Sequence, residues 1–271
     1  MATGPLKQAR ERFRGSVPST LRAPVAAFFS RTPFLRGFLA NGKDLEVLYA
    51  ERPFLRGGPW LGVRSGRPTA GTTERIVEIP WVLSRYSGES CVLDIGSSFA
   101  LPFYLDALRA LGIPELHGVD LAPRAITGMR MTRADVRAMP FAEGYFDLVL
   151  CVSTIEHIGF VNDIYGVDAP KEWHGDIAAL REIRRVLAPS GRVLVTVPFG
   201  AAQDHGWFKQ YDETGWRALV HGAGLREIEI ECFAYGADGW RRVDAADLAA
   251  TRYGDNGAPS AASVRCAVLR V

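Results

Sequence analysis

The stretch VLDIGSSFA at residues 92–100 decides how the chain is read. Its first residues are apolar and then end on an acid and a glycine. A buried strand looks like this where it turns into a loop that faces a ligand. A loop that touches a pyrophosphate usually carries more glycine. Here Ser98 and Ala100 stand at the later glycine positions of a D-x-G-x-G-x-G pattern.

Working outward, strands and helices alternate. CVLDI (91–95) reads as a strand, PFYLDALRALG (102–112) as a helix closed by Gly112, and ELHGVD (115–120) as a second strand. APRAITGMRM (122–131) reads as a helix, ADVRAM (134–139) as the edge of a third strand, and FDLVLCVS (146–153) as a fourth. DIAALREIRRVL (176–187) places Ile177, Leu180, Ile183, Val186 and Leu187 on one helical face. GRVLVTVP (191–198) is a fifth strand and DETGWRALVHGAG (212–224) a helix ending at glycine. REIEIECFAY (226–235) alternates like a half-exposed antiparallel strand, and SVRCAVLRV (263–271) is the last. This rhythm predicts an α/β, doubly wound, Rossmann-like and mostly parallel sheet, with ligands at the strand C-termini.

Residues 1–70 break the rhythm. They are rich in Arg, Pro and Gly and repeat PFLRG at 33–37 and 53–57. We read 1–70 as an N-terminal extension, partly disordered and partly a helical cover, and 71–271 as the main domain. TERIVEIPWVLSRY (73–86) has helical spacing through Ile76, Ile79, Val82 and Leu83, with Pro80 inside it.

The chain has 271 residues, 48% of them apolar, so a large core is available. A net charge of +2 argues against binding nucleic acid by phosphate neutralisation. The four cysteines form no CxxC pair and no zinc framework, and three lie in apolar runs. They read as reduced thiols of a cytoplasmic protein. The N-terminus has no continuous apolar segment, and no apolar run approaches the roughly 18–20 residues of a membrane span, so no membrane partner is expected.

The strand ends carry the chemistry. Asp94 closes the first strand, and Gly96 lets the backbone approach a ligand. Asp120 closes the second, 26 residues after Asp94, where a carboxylate can bond both hydroxyls of a ribose. Asp135 with Val136 can read adenine, the carboxylate accepting from the exocyclic amine and a backbone N–H donating to the ring. Three acids at successive strand tips suit a nucleoside, whereas a phosphate site favours Gly and Lys.

VLDIGSSFA, HGVDLAP, ADVRAMPFAEGYFDLVLCVSTIEHIG and LREIRRVLAPSGRVLVTVPFG together resemble the class I S-adenosylmethionine-dependent methyltransferases, over roughly residues 90–235. The resemblance implies a seven-stranded sheet with a reversed last strand. It implies S-adenosylmethionine held by Asp94, Gly96, Asp120, Asp135 and Val136, with Ser97, Leu121 and Ser153 beside them. STIEHIG (153–159) would face the methyl group. Some relatives bind a divalent metal there through Glu-x-x-Glu-His; this chain keeps Glu156 and His157, has Ser153 at the earlier glutamate, and so offers an incomplete magnesium site.

On the acceptor side, Asp204, His205, Trp207 and Tyr211 cluster after the fifth strand, and the long connection 160–175 supplies Tyr165 and His174. The expected activity is O-methylation of a sugar, oligosaccharide or glycosylated metabolite, with His157 or His205 as general base and Glu156 as catalytic partner. A small-molecule natural product acceptor, a non-catalytic S-adenosylmethionine-binding protein and an NAD-linked oxidoreductase are the alternatives. A homodimer is left open.

Overall fold

The computed structural model describes residues 41–49, 69–160 and 172–271. The PFLRG repeats, nearly all of 1–70 and Tyr165 lie outside them.

Eight strands form one sheet: β1 (Cys91–Ile95), β2 (Glu115–Asp120), β3 (Arg130–Arg133), β4 (Phe146–Val152), β5 (Leu187–Pro198), β8 (Arg226–Gly236), β9 (Gly239–Val243) and β10 (Ser263–Arg270), in the order β3-β2-β1-β4-β5-β10-β8-β9. A two-stranded hairpin, β6 (Gln203–Asp204) and β7 (Lys209–Gln210), stands apart. Strands β1 to β5 run parallel. β10 enters reversed between β5 and β8, as the resemblance implies. β8 therefore runs with β1–β5 although both its neighbours oppose it. β9, an eighth strand that the sequence reading lacked, folds back on β8 through a tight turn. The turn needs Gly239, where φ is +103° and a Cβ would meet the backbone of Thr69 at 2.4 Å.

Period-two alternation along the central strands feeds two cores. Leu93, Ile95, Val119, Val149, Val193 and Val195 face one side. Helices α3 (Gly175–Val186) and α4 (Glu213–Gly222) cover them with Leu180, Ile183, Val186, Trp216 and Leu219. Val92, Leu116, Leu148, Leu150 and Leu194 face the other side. They are covered by α1 (Arg75–Leu83), α2 (Pro102–Ala110) and the helical residues 41–49, which bring in Ile76, Ile79, Phe103, Leu45 and Leu48. Pro80 sits inside α1 without ending it.

Two expected elements differ. The segment 122–131 is not a helix: it stays irregular to Gly128, at φ +79°, and then enters β3. The third strand lies at 130–133, and 134–139 is the turn after it, fixed by the Arg137 N–H donating to Asp135 Oδ1 at 2.8 Å. Among the described residues no helix is long and apolar enough to cross a membrane.

Ile183 is fully buried between α3 and the sheet. Ile183→Ala is expected to lower stability by about 2–5 kcal/mol, read as a lower urea midpoint at unchanged m-value.

Candidate functional site

A cavity of about 800 Å³ opens at the C-terminal tips of the parallel strands. The sheet order reverses direction between β1 and β4, and the loops after these two strands diverge to leave the crevice. One half is walled by the loops after β1, β2 and β3, the other by the loops after β4 and β5 with the start of α1.

In the first half, Asp94, Gly96, Asp120, Leu121, Asp135 and Val136 all line the cavity. Asp94 is buried, and it accepts from Ser97 Oγ at 2.5 Å and from the Tyr104 hydroxyl at 2.6 Å. Ser97 is thus a brace beneath the loop. Burial pushes the Asp94 carboxyl up to about 6, against the lowering effect of these two bonds and with the Asp120 charge adding to the rise. Gly96 has φ +80°, and a Cβ there would stand 2.8 Å from the Thr154 side chain. Only glycine lets the β1 and β4 loops come this close. Asp120 ties the two neighbouring loops together, accepting from Ser98 N at 3.3 Å and from Ala122 N at 3.0 Å.

Asp135 is engaged differently from the expectation. Both its oxygens hold the Arg137 guanidinium, with Nε at 2.9 and 3.0 Å, and this pairing holds the carboxyl below its usual range. Arg137 also lines the cavity and pairs with Glu172. An adenine amine at Asp135 would share the carboxylate with Arg137.

The second half is aromatic and ionic. Ser153 caps β4 in the left-handed region, at φ +41°, a conformation that costs about 1–3 kcal/mol in a non-glycine residue. It is held there by its N–H to the Thr196 carbonyl at 3.0 Å and its hydroxyl to Glu78 Oε1 at 2.6 Å. His157 Nδ1 lies 3.1 Å from the Trp207 carbonyl. A carbonyl only accepts, so Nδ1 carries the hydrogen and the neutral ring keeps its lone pair on Nε2. Burial pulls the His157 pKa down to about 4. Its ring packs on Trp207 at 5.0 Å, and the aromatic wall continues through Phe208 to His205, which stacks on Phe208 at 4.4 Å, and to Tyr253. Burial also lowers the pKa of His205.

Several sequence-assigned residues are placed elsewhere. Glu156 is buried beneath the cavity and off its wall, with Oε2 unbonded, and burial pushes its carboxyl well above the usual range. A neutral, enclosed carboxyl is poorly suited to catalysis or to a cation. Glu156 Oε1 is 3.9 Å from His157 Nε2, but no third donor joins them among the described residues; the single group of three metal-capable side chains found there lies at the other end of the sheet. Glu156 and His157 thus lack the donor set of a magnesium site among the described residues. Tyr211 is a core residue, 2% exposed, donating to Asp176 Oδ2 at 2.8 Å. Asp204 lies off the cavity wall and accepts from Gly206 N within the β6–β7 hairpin at 2.7 Å. His174 is exposed at the start of α3, also off the wall. Trp207 and His205 do line the cavity.

Sequence reasoning missed Glu74, Arg75, Tyr104, Phe208 and Tyr253, all on the cavity wall. Arg75 donates to Glu78 Oε2 at 2.6 Å, and Glu74 receives the Ser260 hydroxyl. The available signal was TERIVE: three charges entering an apolar helix, too many for a plain cover element.

Residues 93–195 match the family model described as a methyltransferase domain. This segment spans β1 to most of β5, so the central part of the chain is similar to a methyltransferase domain. A protein of Encephalitozoon cuniculi named "Putative methyltransferase" is 31% identical over 127 residues, 47% of this chain and 51% of its own length. Malonyl-[acyl-carrier protein] O-methyltransferase of Halorhodospira halophila is 29% identical over 141 residues, 48% of this chain and 42% of its own. The chain spans about half the length of these curated relatives. Among solved structures, 1,6-didemethyltoxoflavin-N1-methyltransferase of Burkholderia thailandensis is 15% identical, with a TM-score of 0.44 and coverage of 94% of this chain and 92% of that one.

Asp94 binds its proton more tightly folded, at about 6, than at its ordinary 3.8. Its ionised form thus weighs against folding as pH rises through this window. The melting temperature of Asp94→Asn relative to the unaltered chain should shift in favour of the variant between pH 4 and 6 and then level off, while S-adenosylhomocysteine binding by calorimetry weakens at pH 7.

Proposed function

We propose that the protein transfers a methyl group from S-adenosylmethionine to a hydroxyl of a small molecule, with a sugar ring or glycosylated metabolite as the favoured acceptor class. The observation that carries this reading is a cavity in which strand-tip carboxylates meet a wall of His157, Trp207, Phe208, His205 and Tyr253. Its volume, about 800 Å³, lies high in the range of roughly 300–1,000 Å³ for small-molecule sites and leaves room for an acceptor beside a nucleoside.

The residues present suit this cofactor. Asp120 at the tip of β2 faces the cavity where ribose hydroxyls would sit, and Leu121 and Val136 offer apolar surfaces for a base. Asp94 supplies a buried negative charge for a ligand bearing a sulfonium and an ammonium. When bound, the cofactor supplies an activated methyl group, so the protein's task is chiefly alignment, worth several kcal/mol. Trp207 and Tyr253 offer flat faces to an acceptor ring, and Arg75 and Glu74 offer polar contacts to its substituents.

His157 accepts the hydrogen bond of the acceptor hydroxyl through Nε2. With its pKa drawn down to about 4, it is neutral at every physiological pH. It is also a weak base, so the proton moves onto it as the methyl group arrives and not before. A second reading, an amine acceptor, draws support from the Glu74 carboxyl on the cavity wall.

The test is a panel of hydroxyl and amine acceptors incubated with labelled methyl donor. We expect transfer to a hydroxyl acceptor, unchanged by EDTA well below the unfolding temperature. His157→Gln should lower kcat by roughly 10²–10⁴ with cofactor affinity intact. No transfer to any acceptor, or full activity in His157→Gln, counts against the assignment. The pH profile should separate two groups: the KM for S-adenosylmethionine rises below about 6 as Asp94 protonates, whereas kcat holds until the His157 value near 4 is approached.

A further inference from the structure

The sheet edge opposite the cavity carries a second, unrelated constellation. Cys91 opens β1 and Glu115 opens β2, and the two are paired across the ladder. His117 lies two residues after Glu115, so the pleat sends all three side chains to one face. Their donor atoms lie within 4.8 Å of one another. We propose that Cys91, Glu115 and His117 form a binding site for a divalent metal ion of the zinc class, clamping β1 to β2.

Two independent observations support it. The first is the donor set. A thiolate, an imidazole and a carboxylate together suit zinc and its transition-metal neighbours, while magnesium and calcium prefer oxygen alone. Bond lengths of about 2.0–2.3 Å place tetrahedral donors roughly 3.3–3.8 Å apart, within reach of small side-chain rotations from the present spacing. The second is His117 itself. It is 8% exposed, and its Nε2 is buried with no hydrogen-bond partner, 3.7 Å from Glu115 Oε2. Burying such an atom without a partner is unfavourable, and a metal would satisfy it.

The surroundings hold the donors in place. Phe141, Tyr145 and Phe146 meet the His117 ring edge-on at 5.4–5.9 Å between centroids. Glu115 Oε2 accepts from the Tyr145 hydroxyl at 3.2 Å and from Arg130 at 3.4 Å, fixing the carboxylate as outer partners do around metal ligands. Asp147 accepts from the Cys91 backbone N–H at 3.0 Å and anchors the strand start. Three protein donors leave the fourth position to water. Ligation breaks the Cys91 Sγ–H bond, releases that proton to solvent and forms the sulfur–metal bond, with no change of oxidation state. The sequence conceals the site because its donors come from two strands and match no Cys/His spacing motif.

The experiment uses the full chain, stripped with EDTA and titrated with Co²⁺ as a spectroscopic probe and then with Zn²⁺. We expect a thiolate-to-cobalt charge-transfer band that saturates at one equivalent and is displaced by zinc. Cys91→Ser should abolish the band, and His117→Gln should weaken cobalt affinity at least roughly tenfold. Zinc should raise the melting temperature of the unaltered chain but not that of Cys91→Ser. A native-like circular dichroism spectrum with a cooperative thermal transition reports that each variant is folded; if His117→Gln fails that check, Glu115→Gln carries the same expectation. No band at one equivalent, an unchanged band in Cys91→Ser, or equal thermal stabilisation of both proteins would overturn the proposal. Because the readouts are spectral and thermal, they stand or fall apart from methyl transfer.

Discussion

A single buried carboxylate organises the cavity end of this molecule. Asp94 sits where β1 ends, with Ser97 and Tyr104 donating to its two oxygens. These bonds close the loop onto the start of α2 and leave Gly96 free to approach the β4 loop. Burial disfavours the charge on Asp94, and the two hydroxyls only partly offset that. The residue is therefore held in a state that a cationic ligand would relieve. Stability given up at such a position is the usual counterpart of a binding site.

The far half of the cavity depends on the helix that precedes the sheet. Glu78 reaches the tip of β4 from α1, where it pairs with Arg75 and accepts the hydroxyl of the strained Ser153. α1 is thus both core and site: Ile76, Ile79 and Val82 pack on the sheet while its first turn lines the cavity. Residues 41–49 extend the same arrangement. Leu45 and Leu48 join the core, and Asp44 accepts from Thr73 N at 2.8 Å just before the helix begins. Packing on one face of the sheet therefore fixes the position of the charges that an acceptor would meet.

The parts legible in the sequence were those governed by short-range periodicity. β1, β4, β5 and β10 are apolar runs, and α3 shows its stripe plainly, so their places followed. β3 was misplaced because RMTR is short, polar and half-exposed at the sheet edge, with no apolar pattern to mark it. The three aspartates at strand tips were found because their spacing tracks the βαβ repeat. Their bonding was not: Asp135 beside Arg137 and Asp94 beside Tyr104 are contacts that only folding reveals. Tyr211 misled because an aromatic next to a histidine-bearing loop reads like a binding residue; its hydroxyl is in fact satisfied by buried Asp176.

Glu156 and His157 show how adjacent residues acquire opposite roles from burial alone. Both side chains lose water, and loss of water favours the neutral form of each: the carboxyl keeps its proton and the imidazole gives its up. An ion pair between them would need both charges in a low-dielectric setting, at 3.9 Å and with Glu156 Oε2 unbonded. The neutral pair avoids that. It leaves His157 with one fixed hydrogen, directed to the Trp207 carbonyl, and one lone pair on Nε2. The same loss of water keeps Glu156 protonated and its neighbour's ring neutral, and the Trp207 carbonyl fixes which nitrogen carries the hydrogen.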